Sequence, residues 1–101
     1  MGEAHFNETI HAPVRLRICG LLRPVEELDF AVLRDTLGVS DATLSKHVKT
    51  LAGSGYVRSR KGRSAGRSDA RHITWLSLTT AGREAFDAHM RMLQEIAGLT
   101  S

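Results

Sequence analysis

The segment that decides the fold is Ser40–Leu78, which reads SDATLSKHVKTLAGSGYVRSRKGRSAGRSDARHITWLSL. Its first third has the pattern of a helix begun by a capping serine, and its remainder has the pattern of a β-hairpin whose loop is rich in arginine. We therefore predict a helix over 41–53, followed at once by a two-stranded wing over 56–78. A helix beside a basic ribbon suits the major groove of DNA and the phosphates that flank it.

The helix over 41–53 divides into two faces at about 100° per residue. Leu44, Val48 and Leu51 fall together and are predicted to face the core. The opposite face combines lysines with small and hydroxyl side chains, which permit close approach to a groove and offer hydrogen bonds to base edges. An ordinary solvated helix also carries lysines outside, so this helix alone leaves both interpretations open. The outward residues are Ala42, Lys46, Lys49 and Gly53, with Thr43, Ser45 and Thr50 beside them.

The basic part of the wing, over 58–71, favours DNA binding. It holds six cations and one anion, and its glycines and serines leave the tip uncluttered. A polar loop without function is the alternative. So many cations directly after a groove-shaped helix indicate contacts with phosphates, and an arginine near the tip could enter a minor groove. The cations are Arg58, Arg60, Lys61, Arg63, Arg67 and Arg71.

Upstream of this segment, the sequence predicts a helix-turn-helix over 30–54. Asp29 can cap its first helix, and Gly38 stands where a helix C-terminus favours the left-handed conformation. A further helix is predicted over 10–23, with Pro13 in its first turn. The predicted fold class is therefore mainly α with a small β-hairpin wing, a winged helix-turn-helix.

Composition narrows the class of protein further. A chain of 101 residues with 42% hydrophobic and 25% charged residues suits a single globular domain. The net charge is only +3, but it is unevenly spread. Residues 1–39 hold four basic and six acidic side chains, whereas residues 40–71 hold eight basic and two acidic ones. This distribution places a polyanion site in the middle of the chain.

The other chemistry-bearing residues indicate neither catalysis nor a metal cofactor. The five histidines include no pair spaced four apart, and no Cys-x-x-Cys occurs. No nucleophile with a base and an orienting group is evident, nor a phosphate-binding glycine motif, so we predict that the protein is not an enzyme and carries no cofactor. The single Cys19 fits a reducing cytoplasm. No apolar run approaches the roughly 20 residues that span a bilayer.

The last predicted helix, over 80–98, has a wider apolar face than a domain of this size needs. Two adjacent apolar stripes run along it, so one can pack on the first helix while the other meets a second copy of the chain. We therefore expect a homodimer, the alternative being a monomer in which this helix wraps the core. The residues expected at the dimer interface are Phe86, His89, Met90, Met92, Leu93 and Ile96.

Three motifs, taken in order, carry a resemblance to a known family. They are LRDTLGVSDATLSKHVKTL at 33–51, GYV at 55–57 and LTTAGREAF at 78–86. Together they resemble the winged-helix transcriptional regulators of bacteria and archaea, and they are most similar to the compact, MarR-like members of that group. The resemblance covers roughly residues 10–97.

This resemblance implies a homodimer that binds a roughly palindromic operator in double-stranded DNA and usually represses. Independently of the resemblance, if a small molecule controls the protein, we expect it to bind at the dimer seam or between the first and last helices. A winged helix used as a protein-interaction or RNA-binding module is the second interpretation, which the cationic wing disfavours. By match to the family's recognition helix and wing tip, the positions implied to meet DNA are Ser40, Thr43, Ser45, Lys46, Lys49, Arg63 and Arg67.

Overall fold

The computed structural model describes residues 2–63 and 72–99, and in them five helices surround a three-stranded antiparallel sheet. This arrangement confirms the predicted fold class, a mainly helical winged helix. Arg67 and Arg71 of the predicted wing lie outside the described residues. The elements in chain order are α1 (Glu8–His11), α2 (Pro13–Leu22), β1 (Leu28–Asp29), α3 (Phe30–Leu37), α4 (Asp41–Gly53), β2 (Val57–Arg63), β3 (His72–Leu78) and α5 (Thr80–Ile96).

The first predicted helix is in fact two helices. Ala12, with φ −55° and ψ 133°, separates α1 from α2. Pro13 explains the break, because its ring restricts the preceding residue to extended conformations. Pro13 itself begins α2 without losing a hydrogen bond, since its missing N–H would have had no helical partner. The prediction of one helix over 10–23 was therefore wrong at its start.

The helices of the helix-turn-helix begin and end where their free backbone groups find partners. Asp29 accepts a hydrogen bond from the Ala31 amide at 2.8 Å, and Ser40 Oγ accepts one from the Thr43 amide at 3.1 Å. Gly38 ends α3 in the left-handed conformation, with φ 69°, where a side chain would be strained. The short turn after Gly38 joins α3 to α4, so local signals set both ends of the motif.

β3 is the central strand of the sheet, with β2 on one side and the two-residue β1 on the other. β2 and β3 pair from Val57 opposite Leu78 to Arg63 opposite His72. Because alternate residues of a strand face opposite sides, one face of this hairpin turns toward the helices and the other turns away. Leu76 and Leu78 are buried on the helix side.

The core lies between the helices and the inner face of the sheet. Leu44 and Leu51 of α4 are fully buried and Val48 packs against them, which confirms the predicted inner face of this helix. Burying a leucine stabilises the fold by about 1.5–3 kcal/mol, so α4 is anchored by this face while its other face stays exposed. The buried hydrophobic residues are Ile10, Ile18, Cys19, Leu22, Leu33, Leu37, Leu44, Leu51, Val57, Ile73, Leu76 and Leu78.

The start of α5 is fastened to the start of the wing. Thr79 Oγ1 accepts a hydrogen bond from the Gly82 amide at 2.9 Å and donates one to the Gly55 carbonyl at 2.6 Å. The Thr79 amide donates to the Tyr56 carbonyl at 3.0 Å. Gly82 packs directly on the Tyr56 backbone and leaves no space there for a side chain. The motifs GYV at 55–57 and LTTAGREAF at 78–86, which lie on either side of the wing in the sequence, therefore contact each other in the fold.

Residues 2–7 form an arm that lies along α5. The amide of Asn7 donates a hydrogen bond to His89 Nδ1 at 3.0 Å, and His89 Nε2 lies 3.1 Å from His11 Nδ1. Since Nδ1 of His89 accepts from an amide, the proton of this neutral ring is on Nε2 and is donated to His11. His89 is fully buried under the arm. The prediction that His89 lies at a dimer interface was therefore wrong, because this side chain belongs to the core of one chain.

The part of the chain that the structure describes has no helix long and apolar enough to cross a membrane.

Candidate nucleic-acid interface

The outer face of α4 is the centre of the candidate interface. Ser45, Lys46 and Lys49 are all exposed, on the side of the helix away from Leu44 and Leu51. Lys46 lies directly opposite the buried face, so its side chain is the one that projects furthest from the body of the protein. The arrangement presents two cations and a hydroxyl group on one ridge.

Ser40 and Thr43 lie at the N-terminal end of the same helix, where each has a structural partner. Ser40 Oγ caps the helix by accepting from the Thr43 amide, and it donates to Thr43 Oγ1 at 3.0 Å. Such a cap stabilises a helix by about 1 kcal/mol. The two hydroxyl groups therefore fix the start of α4. Each hydroxyl oxygen still has a lone pair that can accept a further hydrogen bond.

The alternation of β2 divides the described wing cations between two faces. Lys61 and Ser59 line the side that faces α4, together with Thr74 of β3. Arg63 is two residues from Lys61 along β2, so its side chain is on the same face, whereas Arg58 is three residues away and its side chain is on the opposite face. All three cations are exposed, and Lys61 Nζ donates to Thr74 Oγ1 at 3.0 Å. Lys61 and Arg63 are thus brought to the same side as the lysines of α4.

Arg60 is held on the face of the wing that turns away from α4. Its guanidinium makes a two-pronged ion pair with the Glu27 carboxylate, with both N–O distances 2.6 Å. The same group lies 5.8 Å from the ring centre of Trp75. The hydrogen bonds from Arg60 lower the pKa of Glu27. Arg60 was predicted to bind DNA, but its charge is matched within the chain and its contacts tie the wing to the segment before β1.

An open groove of about 900 Å³ separates α3 and α4 from the wing. Lys49 and Lys61 line the groove from opposite sides, so a sugar-phosphate backbone lying in the groove would meet a cation on each wall. Arg34 holds two of the three acidic residues that line the groove: it donates to Asp35 and to Asp41, each at 2.8 Å. Hydrogen bonds to Asp35 and then to Asp41 raise the pKa of Arg34. The repulsion that Asp41 would exert on a phosphate is thereby reduced.

On the other flank of α4, the structure reveals a contact that sequence reasoning missed. Arg15 of α2 reaches His47, with its Nη1 3.1 Å from His47 Nδ1, and its Nε donates to the Thr9 carbonyl at 2.6 Å. Burial, followed by the positive charges of Arg15 and Lys46, lowers the pKa of His47. The partners are 32 positions apart in the chain, so no local pattern could have indicated this contact.

The residues expected at a dimer interface become more exposed toward the end of α5. Phe86 packs against the core, and Met90, Met92 and Leu93 are partly buried. Ile96 is 68% exposed, and beyond the helix Leu99 is 76% exposed. The C-terminal end of α5 therefore presents apolar side chains that the rest of the described chain does not cover.

Within residues 2–63 and 72–99, no three histidine, cysteine or acidic side chains gather as a metal site would require. His11 and His89 approach each other, but the Asn7 amide already occupies Nδ1 of His89, which would need to carry a proton if Nε2 bound a metal. Cys19 is buried, and desolvation raises the pKa of its thiol to about 11. This thiol is therefore unreactive in the folded protein.

Comparisons with known proteins agree with this fold. Residues 14–97 match the family model described as a winged helix DNA-binding domain. An uncharacterised protein of Methanocaldococcus jannaschii, MJ0432, is 30% identical over 84 residues, which cover 83% of this chain and 87% of that protein.

Solved structures show the same fold. A transcriptional regulator homologue from Pyrococcus horikoshii OT3 superposes with a TM-score of 0.80 at 25% identity, over 94% of this chain and 91% of that one. A protein from Porphyromonas gingivalis W83, described as a MarR-family transcriptional regulator, has a TM-score of 0.65 at 18% identity, over 90% and 80% of the two chains. The chain belongs to the winged-helix DNA-binding domain family, with a MarR-like fold.

Proposed function

We propose that the protein is a dimeric, sequence-specific transcriptional regulator that represses by occupying an operator in double-stranded DNA. In this proposal α4 enters the major groove and the wing contacts the flanking backbone or minor groove. The observation that carries the proposal is the alignment of cations on one side of the molecule: Lys46 and Lys49 on α4, with Lys61 and Arg63 across the groove.

The proposed contacts divide by chemistry. Lys46 is assigned to base edges, because it is the most projecting residue of a helix that fits the major groove, and guanine O6 and N7 are the acceptors that lysine reads there. Lys49, Lys61 and Arg63 are assigned to phosphates, because Lys49 lies on the side of α4 that faces the wing, and Lys61 and Arg63 lie on the wing across the groove. Ser40, Thr43 and Ser45 complete the proposed surface of α4, and Arg67 and Arg71 are proposed from the sequence alone.

The proposed dimer forms through the apolar end of α5. Ile96 and Leu99 are the most exposed large apolar residues described, and Met92 and Leu93 lie one turn earlier on the same helix. A two-fold axis through this region would place the two α4 helices in successive major grooves, about 34–36 Å apart. Any small-molecule effector would act by changing that separation.

The proposal is tested with duplexes that the purified protein selects from a random pool. The Lys46→Ala variant is expected to lose about 1–3 kcal/mol of binding free energy on the selected duplex, and much less on random duplex. The double variant Lys61→Ala/Arg63→Ala is expected to lose affinity for both. Its plot of log K against log salt should be shallower by about 0.9 for each lost phosphate contact.

Arg58→Ala is the matched control, because it removes a cation from the opposite face of the same strand. It should leave the salt dependence nearer to that of the wild type. Equal losses on selected and random duplexes would demote Lys46 to a backbone contact. Preference for single-stranded DNA or for RNA over duplex DNA would overturn the proposed function.

A further inference from the structure

The flank of α4 that faces away from the wing carries a pair of basic side chains. His47 follows Lys46 in the helix and so lies about 100° around it, on the side opposite Lys49. Arg15 reaches this flank from α2, with its Nη1 3.1 Å from His47 Nδ1. Within residues 2–63 and 72–99, the ion pairs of the structure join no carboxylate to Arg15 or to His47. The pair is therefore a positive site without an anion of its own.

The chemistry of the contact fixes the protonation state of the imidazole. A guanidinium group only donates hydrogen bonds, so His47 Nδ1 must accept and must be unprotonated. Arg15 is itself held in place by the Thr9 carbonyl of α1, to which its Nε donates at 2.6 Å. The charged groups that act on the ring are thus Arg15 from α2, which the α1 carbonyl holds in place, and the neighbouring Lys46 of its own helix. Each of the two cations opposes a charge on the ring.

We propose that Arg15 and His47 form a second phosphate grip, and that His47 takes up a proton when duplex DNA binds. This inference rests on the proposed function, since it needs the DNA that α4 is proposed to read. A phosphate on this flank would draw the Arg15 guanidinium toward itself, because a charged acceptor forms a stronger hydrogen bond than a neutral imidazole. Nδ1 of His47 would then be released, and a proton from solvent could bind there.

The direction of the pH effect follows from the charges on each side of the binding equilibrium. In the free protein, burial and the two neighbouring cations lower the pKa of His47, so the ring is neutral near pH 7. A bound phosphate favours the imidazolium and raises that pKa. Proton uptake on binding means that affinity rises as pH falls from 8 toward 6. The grip would hold the backbone strand on one flank of α4 while the wing holds the other.

The test compares the wild type with His47→Asn, by fluorescence anisotropy on one duplex at constant ionic strength between pH 6 and 8. Asparagine places an amide oxygen near the position of Nδ1, so it keeps the acceptor for Arg15 but cannot titrate. The wild type should gain about 3- to 10-fold more affinity over this range than His47→Asn does, as one partly linked proton would give. His5→Gln, which removes an exposed histidine on the arm, should behave like the wild type.

A second variant tests the arginine separately. Arg15→Gln should weaken duplex binding across the whole pH range and reduce the salt slope by about 0.9, as expected for one lost phosphate contact. Circular dichroism at each pH checks that both variants are folded. Duplex binding with the same pH dependence in the wild type and His47→Asn would overturn this inference alone. A wild-type protein that binds no duplex at any pH would overturn the proposed function and this inference together.

Discussion

Gly82→Ala is predicted to destabilise the protein, although alanine is the better helix former. In the open interior of a helix, this change stabilises by about 0.5–1 kcal/mol. Gly82 lies in the first turn of α5 and packs on the backbone of Tyr56. A Cβ added there would stand 2.9 Å from the Tyr56 carbonyl carbon and closer still to its oxygen, whereas real Cβ atoms essentially never come within 3.0 Å of such neighbours. The backbone of one element must therefore shift.

The magnitude follows from what that shift would break. The Tyr56 carbonyl accepts the Thr79 amide at 3.0 Å, and the Thr79 side chain joins Gly55 to Gly82. Overpacking of this kind costs about 1–3 kcal/mol, and weakening one buried hydrogen bond adds about 0.5–1.5 kcal/mol. After the gain in helix propensity is subtracted, we expect a loss of about 0.5–4 kcal/mol in the free energy of unfolding.

Urea unfolding followed by circular dichroism measures this loss. Gly53→Ala is the matched control, because Gly53 ends α4 with open space where a Cβ would be. Its stability should lie within about 0.5 kcal/mol of the wild type. If Gly82→Ala is as stable as Gly53→Ala, then the close packing of α5 on the start of the wing is not what holds this junction, and the reasoning fails.

Two other predictions concern α5. Ile96→Glu places a charge on the exposed apolar end of the helix and should shift a dimer toward monomer in sedimentation. Gln94→Glu adds the same charge to the same helix and should not. A wild-type protein that is already monomeric at tens of micromolar would contradict the dimer. The second prediction is that stability falls in acid, because burial and, to a lesser extent, the charge of His11 lower the folded-state pKa of His89 from its ordinary 6.5. Its contribution to stability is present above about pH 6.5 and is lost as pH falls through the folded-state pKa, by at most about 1.4 kcal/mol per pH unit. Unfolding at pH 5 and 7.5 should show a smaller difference in His89→Gln; an equal difference would exclude this histidine as the cause.

The helix-turn-helix could be predicted because its signals are local. Asp29, Gly38 and Ser40 each act on backbone groups no more than four residues away, so the sequence contains both partners of every cap. The inner face of α4 follows from helical periodicity for the same reason. These elements are specified by short-range chemistry, and the structure agrees with them residue by residue.

The parts that sequence reasoning missed depend on partners far apart in the chain. His89 continues an apolar stripe, and nothing in that stripe indicates that an arm 82 positions earlier covers it. In the sequence, Arg60 cannot be distinguished from the other cations of the wing. Only the fold brings it to Glu27, 33 positions away, which pairs with its charge. Burial and ion pairing of this kind are properties of the tertiary structure, so periodicity and composition cannot supply them.

Within the described part of the wing, Glu27 matches the charge of Arg60, so β2 presents less net charge than its composition indicates. The pair of Arg60 with Glu27 is exposed to solvent, which screens the attraction, so it adds little to the stability of the fold. Its effect is on position, because it fixes β2 to the segment before β1 from the face opposite the groove. The junction at Thr79 and Gly82 fixes the base of the same hairpin. With both contacts in place, the hairpin is tied to the body of the protein at its base and on its outer face, and in the proposed function this keeps Lys61 positioned across the groove from Lys49 of α4.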